Sequence, residues 1–87
     1  MKFINDISIN KMQIFIRSDR TTVLDVEPKN TIKDIHQMIY ERIHMPVAFQ
    51  RLVYQCKSLT LNADSTLEDL DINSEATLHL YIKHSNK

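Results

Sequence analysis

The sequence predicts an α+β domain in which a single helix covers one face of a sheet and leaves the other face to solvent. Apolar and polar residues alternate with a period of two at 12–17, 22–26 and 76–83, which indicates strands both early and late in the chain. Between them, isoleucines spaced three and four residues apart indicate one helix of about 13 residues. A helix of that length covers only one sheet face, so we expect the other face to be exposed.

Composition excludes several classes of function. The chain has 87 residues, which is enough for one small hydrophobic core. Its 11 Lys and Arg balance 11 Asp and Glu, so no cationic excess favours nucleic acid or a membrane surface as a partner. The chain contains no glycine. This excludes the Gly-rich phosphate loop, the dinucleotide fingerprint and the Gly-x-Ser-x-Gly nucleophile turn, which all need backbone without a Cβ.

Two further features bear on where the protein works. Cys56 is the single cysteine, so it forms no intramolecular disulfide. The first residues interrupt their apolar side chains with an acid and amides, unlike the unbroken apolar stretch of a signal peptide. Both features favour the cytoplasm or the nucleus.

The chain is expected to divide into an N-terminal extension at 1–11, one domain at 12–83 and a C-terminal tail at 84–87. We expect the extension to be mobile, as chain ends commonly are. The alternation of Ile7 and Ile9 leaves an added edge strand as a second interpretation.

The first two strands are predicted to form a β-hairpin. Strand 12–17 and strand 22–26 are separated by only four residues, Ser18-Asp19-Arg20-Thr21. Since this turn has no glycine, Asp19 is the residue expected to adopt a positive φ there.

The helix has clear signals at both ends. Thr31 is followed three residues later by Asp34, the spacing of a capping box, and Pro46 prevents continuation beyond the other end. His44 lies where a helix usually ends in a left-handed residue. One apolar stripe is predicted to face the core, formed by Ile32, Ile35, Ile39 and Ile43.

The second half of the chain is predicted to contain three strands. These are 49–55, a short strand at 56–59 and the last strand at 76–83, with a loop at 60–65 between the second and the third. Residues 66–69 repeat the capping pattern but leave room for only one helical turn.

Several segments are similar to the ubiquitin family. They are Met12-Gln13-Ile14-Phe15, Val26-Glu27-Pro28, Thr31-Ile32, Gln50-Arg51-Leu52, Lys57 with Leu59, Thr66-Leu67 and Thr77-Leu78-His79-Leu80. The resemblance runs in order from Met12 to about Lys83, with two residues fewer in the first hairpin and two more near Asn62. It implies a ubiquitin-like β-grasp, a mixed five-stranded sheet packed on one helix, with the last strand parallel to the first.

The clearest departure from the family is at the tail. Conjugated relatives end in Gly-Gly, whose carboxylate is activated and passed on as a thioester. The corresponding residues here are Lys83-His84-Ser85-Asn86-Lys87. We therefore expect a non-conjugated module rather than a modifier or a sulfur carrier, either as a free-standing mimic of ubiquitin or as the N-terminal domain of a larger protein. A true modifier is expected only if the sequence is an altered or truncated product.

The resemblance also implies a binding surface. Partners of ubiquitin mostly dock on an apolar patch of the outer sheet face, which maps to Val53, His79 and Tyr81 with Arg51 at its edge. A second surface maps to the first strand, where Phe15 takes an outward position. Scattered surface hydrophobes need no explanation, but adjacent outward positions on one sheet favour binding.

The expected partners are proteins of the ubiquitin system, namely receptors, ligases, deubiquitinases or the proteasome. We expect a monomer without catalysis or a cofactor. Lys57 matches a chain-forming lysine of ubiquitin and is a candidate acceptor, an ordinary solvated lysine being the alternative. A different hypothesis is a β-grasp scaffold that assembles with itself or a larger complex through 1–11, outside the ubiquitin system.

Metal binding and nucleophilic catalysis are not expected. His36 and His44 lie two helical turns apart, and His79 and His84 alternate to opposite faces of the last strand. Nothing places a base or an oxyanion hole beside Cys56, so a buried or turn cysteine is the preferred interpretation.

Overall fold

The computed structural model describes residues 11–82, apart from the side chain of Leu61. The elements are β1 (Met12–Arg17), β2 (Thr21–Val26), α1 (Ile32–Ile43), β3 (Gln50–Tyr54), β4 (Lys57–Ser58) and β5 (Thr77–Ile82). Short 3₁₀ turns occur at Val47–Phe49 and Thr60–Asn62. No helix in this part of the chain is long and apolar enough to cross a membrane.

The five strands form one mixed sheet in the order β2-β1-β5-β3-β4. β5 runs parallel to β1, whereas the other three neighbouring pairs are antiparallel. This topology, with one helix packed on the sheet, confirms the predicted α+β β-grasp. The parallel pair is central, so both edges of the sheet belong to hairpin strands.

One hydrophobic core lies between the helix and the inner sheet face. Its buried members are Ile14, Ile16, Leu24, Val26, Ile32, Ile35, Ile39, Leu52, Leu59, Leu67, Ile72, Leu78 and Leu80. Within the strands, the core residues occur mostly at every second position, because successive side chains of a strand point to opposite faces of the sheet. The helix members follow the predicted stripe except for Ile43, which is 37% exposed. The prediction that Ile43 faces the core is therefore wrong.

Both predicted helix ends are confirmed. The Asp34 amide donates to Thr31 Oγ1 at 3.1 Å, and the Thr31 amide donates to Asp34 Oδ2 at 3.0 Å, which completes the capping box. His44 ends the helix in the left-handed conformation with φ 64°, and its amide donates to the Tyr40 carbonyl. Arg42, in the last turn, donates from Nη1 to the carbonyl of Val23 in β2 at 2.7 Å.

The first hairpin differs from its prediction. β2 begins at Thr21, so the loop has three residues, and none of them has a positive φ. The expectation of a positive φ at Asp19 is wrong. The Ser18 amide donates to the Arg20 carbonyl at 3.0 Å. The bond lies within a loop whose residues all have negative φ. The loop therefore needs no glycine.

The second hairpin does need left-handed residues. β3 and β4 are joined by a two-residue turn in which Gln55 has φ 52° and Cys56 has φ 67°. Positive φ at both central residues matches a type I′ turn, where glycine or asparagine is usual. The turn shortens both predicted strands, and Phe49 belongs to a 3₁₀ turn rather than to β3. β5 spans Thr77–Ile82, and the predicted end at Lys83 lies outside the described residues.

A buried polar group joins the helix to the start of β3. Gln50 is 5% exposed, and its Nε2 donates to the carbonyl of Met45 at 2.8 Å. Its Oε1 lies 2.8 Å from His36 Nδ1. Since the amide oxygen can only accept, His36 Nδ1 is the donor, which fixes the ring's hydrogen-bonding role. The segment between α1 and β3 is thereby held at both ends.

The predicted capping pattern at 66–69 also forms. The Asp69 amide donates to Thr66 Oγ1 at 2.9 Å, and the Thr66 amide donates to Asp69 Oδ2 at 3.1 Å. No α-helix follows, and the segment remains a turn. Its backbone is fixed to the region before α1, because the Glu68 amide donates to the Pro28 carbonyl at 3.0 Å. An acidic loop is thus anchored beside the amino end of α1.

Candidate protein-binding surface

The outer sheet face brings together the four residues predicted from β3 and β5. In the antiparallel register, Arg51 lies opposite Tyr81 and Val53 lies opposite His79. Directly opposite residues have their Cβ atoms about 5 Å apart and on the same face. The four residues therefore form one compact block, which we call the sheet-face patch.

Aromatic rings dominate the chemistry of the sheet-face patch. The His79 and Tyr81 rings are stacked, with centroids 6.5 Å apart and planes 21° from parallel. Tyr81 is 53% exposed, whereas Val53 is half-buried. Tyr81 thus offers an apolar ring and a hydroxyl that is free to exchange water for a partner's polar group. Arg51 adds an exposed cation at the edge.

Phe15 lies on the same face, but less openly than the sequence suggested. It pairs with Val23 of β2 on one side and Thr77 of β5 on the other. These neighbours leave it half-buried, because β1 is flanked by strands on both sides. Two residues along, Arg17 pairs with His79. The first-strand surface and the sheet-face patch are therefore parts of one continuous face.

The candidate acceptor and the single cysteine both lie at the second hairpin. Lys57 is exposed in β4, paired with Tyr54. Cys56 is an exposed free thiol in the turn, which agrees with the prediction of a turn cysteine. Modification of Lys57 stays a prediction.

Most titratable side chains with a defined contact serve the fold. Across residues 11–82, no group of three His, Cys, Asp or Glu side chains gathers in a way that could hold a metal ion. His36 is bonded to Gln50, and Asp34 and Asp69 accept backbone amide hydrogens. In the same part of the chain, no buried side-chain nitrogen or oxygen lacks a hydrogen-bond partner. These contacts give Asp34, His36 and Asp69 structural roles.

Some exposed apolar side chains were not predicted as surface residues. Ile43, Val47 and Phe49 are all exposed near the carboxyl end of α1. Ile43 continues the spacing of the core stripe, so periodicity alone placed it inside. Phe49 was assigned to a strand by its apolar character. Pro46 lies between them, and the only available signal was that a proline interrupts regular structure at this point.

A comparison with protein-family models agrees with this geometry. The model of the ubiquitin family matches residues 14–85. The matched range includes the helix and nearly all of the sheet, together with every residue of the sheet-face patch. A match over so much of the sequence, on the observed β-grasp topology, shows that the chain belongs to the ubiquitin family.

Proposed function

We propose that this chain is a non-conjugated ubiquitin-like interaction module that binds proteins of the ubiquitin system through the sheet-face patch. Membership of the family supports protein binding in general. The finer proposal names receptors, ligases, deubiquitinases or the proteasome as partners. It also places the protein in the cytoplasm or the nucleus, where those partners work.

One observation carries the proposal. Tyr81 is 53% exposed, stacked against His79 and opposite Arg51 in the register. Tyrosine and arginine are enriched among interface residues whose truncation costs about 2 kcal/mol or more. Such a cluster on one face is a better candidate for binding than isolated surface hydrophobes.

The absence of glycine supports the non-conjugated part of the proposal. A conjugated relative needs a Gly-Gly sequence, and these 87 residues contain no glycine. Binding without transfer makes the chain a competitor of ubiquitin for shared partners.

The test is a competition experiment with the whole chain. Labelled ubiquitin is bound to a panel of purified ubiquitin-binding domains, and the chain is titrated into each complex while fluorescence anisotropy is recorded. We expect displacement from at least one domain. A double variant, His79→Thr with Tyr81→Thr, removes both rings and places β-branched threonine, which suits a strand, at both positions. We expect it to lose displacement by 30-fold or more, since each ring is a candidate hot spot (about 2 kcal/mol).

Lys33→Ala is the control, because Lys33 is exposed on α1, which packs on the inner face of the sheet and not on the face that carries the sheet-face patch. It should displace ubiquitin as well as the unaltered chain. If the double variant displaced ubiquitin as well as the unaltered chain does, the sheet-face patch would not be the binding surface. Assembly that depends on residues 1–11, with the double variant silent, would favour a scaffold outside the ubiquitin system instead.

A further inference from the structure

A groove runs between the edge strand β2 and the helix α1. It consists of two neighbouring hollows, of about 210 Å³ and about 260 Å³. Asp25 of β2 and Met38 of α1 line both hollows. Lys11 lines only the first hollow, and Arg42 lines only the second. None of the residues that line this groove belongs to the sheet-face patch, so it is a separate surface of the domain.

Each hollow of the groove has an apolar wall. Val26 lines the first hollow and Leu24 lines the second, and both are almost fully buried core residues. Met38 packs against the same core but is only half-buried. An apolar side chain placed in either hollow would therefore cover more of Met38. Removing that apolar surface from water is favourable.

The chain itself supplies apolar side chains next to this groove. Ten residues precede Lys11, the first described residue, which lines the first hollow. Within these ten residues, Phe3, Ile7 and Ile9 share one side of a period of two, with Asn5 as the polar member between them. The intervening positions from 4 to 10 hold one isoleucine and three polar residues. In an extended conformation, this segment would have one mainly apolar side.

The spacing of the last two isoleucines fits the two hollows. Side chains two positions apart on extended backbone lie on the same side, about 7 Å from each other. Leu24 and Val26 are also two positions apart, and they line different hollows. Ile9 is only two residues from Lys11, a stretch that spans about 7 Å when extended. Ile9 can therefore reach the hollow that Lys11 lines, and Ile7 the next one.

We propose that the segment before β1 docks in the groove between β2 and α1 of its own chain. Ile9 occupies the hollow beside Val26, and Ile7 occupies the hollow beside Leu24. The segment acts as a strap that fastens the edge strand to the helix. It also covers the groove, so another molecule could bind there only by displacing the strap.

Two features favour the chain's own segment over a separate molecule. Arg42 donates to the Val23 carbonyl within β2, and this bond opposes the continuous backbone pairing on which a foreign strand would depend. A segment tethered at Lys11 has an effective concentration on the order of millimolar, as short linkers provide. A separate molecule at micromolar concentration competes poorly with such a tethered segment, which needs only its side chains to dock.

Nuclear magnetic resonance of methyl groups in the full chain tests the proposal. Met38→Leu assigns the Met38 methyl signal, and a nuclear Overhauser contact between the Ile9 and Met38 methyl groups is expected. Ile9→Ser should remove this contact and shift the Met38 signal. Ile4→Ser is the matched control, because it makes the same substitution on the other side of the alternation, and it should leave Met38 unchanged. The Met45 signal should stay constant in both variants, since Met45 lines a different groove.

Urea denaturation of the full chain measures what the strap contributes to stability. Ile9→Ser should lower the urea concentration at the unfolding midpoint, whereas Ile4→Ser should leave it unchanged. Met38→Ala provides the second arm of a double-mutant cycle. The variant that combines Met38→Ala with Ile9→Ser should lose less stability than the sum of the two single losses, because the two side chains are in contact. Additive losses would contradict that contact.

Three other results would overturn the proposal. Equal shifts of the Met38 signal in Ile9→Ser and Ile4→Ser would show that the segment has no preferred side. The absence of a contact between the Ile9 and Met38 methyl groups would show that the segment does not dock in this groove. A contact that disappears on dilution, together with a dimer in analytical ultracentrifugation, would assign the groove to the segment of a second copy. These variants leave the sheet-face patch unaltered, so failure here is separable from failure of the proposed function.

Discussion

The two faces of β5 differ in exposure and in chemistry. Leu78 and Leu80 are almost fully buried in the core, whereas His79 and Tyr81 are exposed on the outer face. Alternation along one strand separates residues that stabilise the fold from residues available for recognition. Substitutions on the two faces should therefore affect different measurements.

The largest expected effect is on the inner face. Leu78→Ala removes a fully buried side chain, so the free energy of unfolding should fall by about 3 kcal/mol through lost transfer energy and a residual cavity. Urea denaturation followed by circular dichroism measures it. Leu78→Met, which keeps most of the volume, should cost less than about 1.5 kcal/mol. A loss below about 1 kcal/mol for Leu78→Ala would contradict the assigned core.

The second largest loss in the free energy of unfolding is expected from removing a buried polar contact. Gln50→Leu leaves the Met45 carbonyl and His36 Nδ1 without their partner, so we expect a loss of about 2 kcal/mol. The measurement is again urea denaturation. His36→Leu is the second arm of a double-mutant cycle. If the pair is coupled, the double variant should lose less stability than the sum of the single losses.

Helix capping should contribute less. Thr31→Ala removes the acceptor of the Asp34 amide and should cost about 1 kcal/mol. Thr31→Ser keeps the hydroxyl oxygen and should cost only a fraction of that value. Thermal unfolding compares the two variants, and equal losses would show that the methyl group of Thr31, not its hydroxyl, matters.

The smallest effect on stability is expected on the outer face. The His79→Thr and Tyr81→Thr double variant should change the free energy of unfolding by about 0.5 kcal/mol or less, since both side chains are exposed and threonine suits a strand. The same urea measurement tests it beside Leu78→Ala. A loss as large as that of Leu78→Ala would mean that the two faces are not independent, and loss of binding would then say little about recognition.

The sequence predicts local features better than contacts between distant segments. The capping box at Thr31 and the left-handed His44 follow from neighbouring residues, and both are confirmed. The parallel pairing of β1 with β5 is non-local and came only from the resemblance to the family. The conformation at Asp19 depends on how many residues the loop contains, which strand alternation did not define to the residue.

The candidate surface shows the same division. The alternation of apolar and polar residues predicted that His79 and Tyr81 lie on the outer face. It did not predict that their rings stack. Phe15 was placed on the correct face, yet its half-burial depends on side chains from two other strands. Ile43 has the spacing of a core residue, and only the packed structure shows that the last turn of α1 extends beyond what the sheet covers.

The bond from Arg42 to Val23 has a consequence for aggregation. β2 is an edge strand, and an edge with free carbonyl groups is a template on which strands of other molecules can pair. Arg42 already occupies the Val23 carbonyl and places a charged side chain across that edge. An incoming strand would have to displace it, so the helix protects the sheet that it packs against from edge-to-edge polymerisation.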